Sequence, residues 1–181
     1  MRKTLCFVLA VALIFTYSNA FSQGFTMVMK ALDGTTKLNG ESIEPGHANE
    51  IDLYSYSQGD SRCATCNTTN VSDFNIMTKF TGATVSFKKL SLNGTKLTSV
   101  DVTFTRPSGS FIFLKIHMEN VLVTSVQESG SGGGDNTPTV SVSLAADRIA
   151  WQYTLQKGDG TAGAKTSYGW DVVNNVSWTF F

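Results

Sequence analysis

Apolar and polar residues alternate with a period of two along most of this chain, the signature of strands with one buried face. Residues 25–31 read as a first strand, closed by a turn at Asp33 and Gly34. Residues 38–49 form a polar loop containing Gly40, Pro45 and Gly46, and residues 50–57 alternate strictly from Ile51 and Leu53 to Tyr54 and Tyr56. Residues 60–72 are polar, 74–80 are strand-like, and 99–105 alternate again. Residues 111–126 are long enough for two strands, with a break near Glu119 and Asn120. After residues 139–144, the break at Ala145, Ala146 and Asp147 predicts a bulge or corner before Ile149, Trp151 and Tyr153 resume the alternation. A Gly-rich turn at 157–163 precedes one or two final strands in 169–181. Only residues 81–94 are ambiguous. Val85, Phe87, Leu90 and Leu92 fit a slipped strand, whereas Ala83, Phe87 and Leu90 fit one helix face ending at Asn93 and Gly94. The pattern predicts a mainly β domain, barrel or sandwich, with at most one helix.

The first twenty residues break this pattern. Arg2 and Lys3 precede a nearly unbroken apolar run from Leu5 to Phe15, and small residues follow at Ser18 and Ala20. This is the three-part layout of a secretory signal peptide, with cleavage near Ala20–Phe21 or Ser22–Gln23. The run is shorter than the roughly 20 residues a spanning helix needs, so no membrane span is expected. Residues 21–181 then form a single domain with 12 basic and 14 acidic residues, secreted or periplasmic. Balanced charge argues against a nucleic-acid partner, which would demand clustered Lys and Arg. The Gly-rich segment 129–138 reads as a flexible loop inside the domain, and no Gly-Lys-Ser/Thr follows it to make a phosphate loop.

Candidate chemistry is sparse. Cys63 and Cys66 lack the second ligand pair of a zinc site and the βαβ context of a redox motif. In an exported chain they read as a local disulfide or as two surface thiols. His47 and Glu50 resemble a base and its partner, but no nucleophile motif accompanies them; His117 reads as a half-exposed structural histidine on a strand. No catalytic residue, metal or cofactor is expected.

Three segments in order go further. Gly40, Glu41 and Ser42, then His47, then residues 50–59 (EIDLYSYSQG) resemble the N-terminal signature of the Hcp (haemolysin-coregulated protein) family, the tube proteins of bacterial type VI secretion. Residues 113–125 (FLKIHMENVLVTS) are similar to a second family segment, followed by the Gly/Ser loop and by residues 138–144. Ile149 to Tyr153, Gln156 to Gly160, and Gly169 to Asp171 resemble its closing segment, so the likeness spans about residues 25–171. It implies a two-sheet β-barrel with one α-helix packed on its side, the helix being the ambiguous segment. It implies ring assemblies of identical subunits, hexamers in this family, that stack into a tube and can carry secreted effector proteins. The loop with Gly40, Glu41, Ser42, His47 and Glu50 is implied as the subunit contact. The signal peptide, the insertion at 63–70 and the apolar segment 172–181 depart from the family pattern. They leave a second reading, a stand-alone exported protein of this fold that binds a surface or protein partner.

The mature N-terminus is expected between Phe21 and Gly24. Intact-mass measurement of protein from its native host checks this, and a pool that retains Met1 would refute it.

Overall fold

Because successive strand residues point to opposite faces, a β-chain with one apolar face can bury it by closing on itself. The computed structural model describes residues 24–66, 68–107, 111–132 and 137–181; the expected leader lies outside them. Twelve strands and one helix follow in order: β1 (Thr26–Asp33), β2 (Thr36–Lys37), β3 (Ile51–Ser57), β4 (Asp60–Arg62), β5 (Thr69–Val71), β6 (Phe74–Lys79), α1 (Gly82–Asn93), β7 (Leu97–Thr105), β8 (Ile112–Ser129), β9 (Thr139–Ala145), β10 (Arg148–Gln156), β11 (Ala162–Asp171) and β12 (Val176–Trp178). Strands β8, β7, β1, β3, β6 and β9 pair antiparallel in that order, and β9 pairs back to β8, closing a six-stranded barrel. β10, β11 and β12 extend the sheet outward from β8, while β4 and β5 form a separate hairpin. Among the described residues no helix is long and apolar enough to cross a membrane.

The barrel interior takes every second residue. Met27, Met29 and Ala31 from β1 meet Val100, Val102 and Phe104 from β7, and Val140, Val142 and Leu144 come from β9. Removing a fully buried ring such as Phe104 would cost about 3–5 kcal/mol in lost burial and cavity formation.

Residues 112–129 are one continuous strand rather than the two expected. The anticipated break is a corner. Asn120 takes the left-handed conformation at φ 50°, which Asn tolerates better than most side chains. There the inward set changes from Ile116 and Met118 to Val121 and Val123, and the strand's partner changes from β10 to β9. The opposing chain turns at the same level, where the Asp147 N–H donates to the Glu119 carbonyl at 3.1 Å. A second irregularity lies between Leu53 and Ser55 in β3. Strict alternation would put Tyr54 and Tyr56 on one face. The bulge leaves Tyr54 outside and turns Tyr56 against Phe74 and Phe104, at centroid separations of 5.5 and 4.9 Å.

The ambiguous segment is helical over Gly82–Asn93, as the family resemblance implied. Ala83, Thr84, Phe87 and Leu90 are buried, and the helix packs against β8. The Thr84 hydroxyl accepts the Thr81 N–H at the helix start (3.1 Å), and Gly94 closes the helix at φ 70°, its N–H donating to the Leu90 carbonyl.

The outer strands are tied by charge. Arg148 of β10 reaches Asp171 of β11 at 2.9 Å and Glu119 of β8 at 3.2 Å. Asp171 also accepts the backbone N–H (2.8 Å) and side-chain amide (3.0 Å) of Asn174, which fixes the turn into β12. The Asn174 donors first and the Arg148 guanidinium second hold the Asp171 carboxyl at about 2, below its ordinary 3.8. A depressed carboxylate stabilises the fold above its ordinary pKa and loses that contribution as pH falls through the folded value. Asp171→Asn is therefore expected to lower the thermal midpoint at pH 7. The gap to the unsubstituted protein should narrow between about pH 4 and pH 2 in a pH series of melts.

Candidate assembly surface

The loop between β2 and β3 folds into a self-supporting unit. The Gly40 N–H donates to the Asn49 carbonyl at 3.0 Å, the Ser42 N–H to Glu50 at 3.0 Å, and the Asn49 N–H back to Ser42 at 2.9 Å. The tip turns at Gly46 (φ 82°) and returns through Asn49 (φ 59°). Within the turn, the His47 N–H donates to Glu44 and the Glu50 N–H to His47. The His47 Nδ1 lies 2.8 Å from Glu50 Oε2, with both side chains largely buried. From β2, the Lys37 ammonium donates to the Ala48 carbonyl at 2.9 Å. Val28 does not belong to the barrel core, yet it is only 2% exposed, and it lines a cleft together with Glu44, Pro45 and His47 of the loop.

The five residues singled out in this loop thus fall into two groups. Gly40, Ser42, His47 and Glu50 build the loop from within; Ser42 is 3% exposed. Only Glu41 is exposed. Beside it stands Ile43, 95% exposed, which the sequence pattern did not single out because one apolar residue in a polar loop has no periodicity. The signal available was its chemistry, since a large aliphatic side chain between two glutamates in a loop has no core to enter.

The other candidates are structural. Cys63 and Cys66 are joined by a disulfide in the segment between β4 and β5. His117 was expected half-exposed, but it is 5% exposed. Its Nδ1 lies 2.6 Å from Asp101, and its ring stacks on Phe180 at 3.5 Å between centroids. The apolar segment after β11 thus covers this histidine. Among the described residues no group of three His, Cys, Asp or Glu is placed to hold a metal.

The described residues thus form a closed antiparallel barrel with one flanking helix and an internally bonded loop between β2 and β3. Residues 29–153 match the sequence profile of the family described as type VI secretion system effector, Hcp. The chain is 29% identical over 150 residues to protein hcp1 of Pseudomonas aeruginosa, covering 77% of this chain and 92% of that protein. Its fold matches a solved type six secretion system protein at a TM-score of 0.77, with 22% identity, over 86% of this chain and all of the other. It also matches Hcp1 from Salmonella typhimurium at 0.71, with 20% identity, over 86% of this chain and 99% of the other. The chain belongs to the Hcp family of type VI secretion proteins.

Gly40 has no room for a side chain. A Cβ there would lie 2.1 Å from the Glu50 carbonyl oxygen and 2.8 Å from the Ile51 Cα, both backbone atoms. Gly40→Ala should therefore lower stability by about 2–3 kcal/mol in urea titrations. Gly46→Ala meets no neighbour and carries only the left-handed backbone cost, about 1 kcal/mol.

Proposed function

We propose that this protein is a structural subunit of a type VI secretion tube and assembles into closed rings of identical copies, six per ring. The observation that carries the reading is the Gly40–Glu50 loop. Its backbone is bonded to itself, so Glu41 and Ile43 are free to serve a neighbour. In a ring each subunit offers one patch and receives the other, so the contact is heterologous and closes by rotation. An apolar side chain flanked by carboxylates suits such a contact, because it is buried at the centre while the charges stay at the rim. The protein leaves the cell as a secreted tube component, and the ring lumen is the place for effector cargo. A mature chain that starts between Phe21 and Gly24 keeps β1 and the whole family-matched segment, so a cleaved leader is compatible with assembly.

Light scattering coupled to gel filtration tests this. The mature protein should elute as a multimer consistent with six copies. Ile43→Asp and Glu41→Lys should each weaken association about tenfold or more and leave a folded subunit with an unchanged far-UV circular dichroism spectrum, because neither side chain contributes to the fold. A wild-type protein that stays monomeric across the accessible concentration range overturns the reading.

A further inference from the structure

Away from the loop, the β4–β5 hairpin stands over the face of β10 and β11 and leaves a cleft of about 470 Å³ between them. Its floor is aromatic. Trp151 pairs in register with Tyr168, and Trp170 lies two residues further along β11, so all three rings share one face of the sheet. Its roof is polar. Asp60 pairs with Val71 and Arg62 with Thr69, which puts these four side chains on one face of the hairpin, and all four line the cleft. Gln58, hydrogen-bonded to Asp60, stands at one end.

The roof is held at its base and on its flank. At the base, the Ser72 N–H and hydroxyl both donate to the Gly59 carbonyl at 2.9 Å, and the Gly59 N–H donates to the Ser72 hydroxyl at 2.9 Å. The Cys63–Cys66 disulfide ties the segment joining the two strands. On the flank, the Thr69 N–H donates to the Asn175 side chain at 3.2 Å, across to the turn before β12. A wall fixed before a ligand arrives does not have to be ordered by it, which reduces the entropy cost of binding.

We propose that this cleft binds a neutral saccharide. A pyranose ring has apolar C–H faces and a rim of hydroxyls. The indole and phenol rings of Trp151, Trp170 and Tyr168 offer flat apolar surface to those faces. The carboxylate, guanidinium, amide and hydroxyl of the roof offer both acceptors and donors to the rim. The volume is that of a small-molecule site, with one polar wall facing one aromatic wall. The charges of Asp60 and Arg62 balance, so the cleft lacks the cationic excess that a nucleotide or polyphosphate would require. This inference does not rest on ring assembly.

The test is titration of the purified full chain with chitotriose, cellotetraose and maltotetraose. Intrinsic tryptophan fluorescence and saturation-transfer NMR are the readouts. At least one sugar should give a saturable response below about 10 mM. Tyr168 is 57% exposed, so Tyr168→Ala should keep the fold and weaken that response about tenfold. Tyr54→Ala, an exposed tyrosine elsewhere on the barrel, should leave it unchanged. No saturable response to any of the three sugars overturns the proposal. So does a Tyr168→Ala protein whose only change is weaker self-association, which would make the cleft an interface between copies. A monomeric wild type that still binds sugar would end the ring reading and leave this one standing.

Discussion

The whole architecture depends on one strand serving two sheets. β8 pairs with β7 and β10 over its first half and with β9 over its second, and the barrel closes only because it does both. That dual pairing requires the corner at Asn120. A straight strand would keep its inward set in phase and turn Asn120 and Thr124 toward the barrel interior while Val121 and Val123 faced out. The left-handed residue resets the phase, so Val121 and Val123 continue the core that Ile116 and Met118 begin. Closure also satisfies backbone groups that an open sheet would leave at its edges.

Where one face is buried and pairing is regular, the alternation in the chain was a sufficient guide. Residues 74–79, 97–105 and 139–145 are strands for that reason. The bulges were less legible, because a bulge depends on what the partner strand does. Glu119 and Asn120 looked like a boundary between strands, and residues 50–57 looked strictly alternating, since neither reading could include the neighbour across the ladder. The helix was blurred by its own surface, as exposed Val85 and Leu92 overlay a strand-like rhythm on the buried set Ala83, Phe87 and Leu90.

The roles of the individual residues in the β2–β3 loop were not legible in the sequence. Composition marked it only as a polar loop and the family resemblance singled out five of its residues, yet Ser42, His47 and Glu50 turn inward or toward one another. Sequence distance hides this. Glu50 reads as an ordinary charge until the loop folds back and places His47 beside it. The aromatic floor under the hairpin had a similar history. Trp151 and Tyr168 are seventeen positions apart along the chain, and only the β10–β11 register makes them neighbours.

The internally bonded loop has a consequence for substitution. Its framework lies in Gly40, Ser42, His47, Asn49 and Glu50, and its outward chemistry in Glu41 and Ile43. The Ile43 side chain is almost fully exposed and Glu41 is exposed, and no framework hydrogen bond in the loop uses either side chain. Substitution at Glu41 or Ile43 can therefore change what the loop presents to its surroundings without removing the hydrogen bonds that hold it on the barrel.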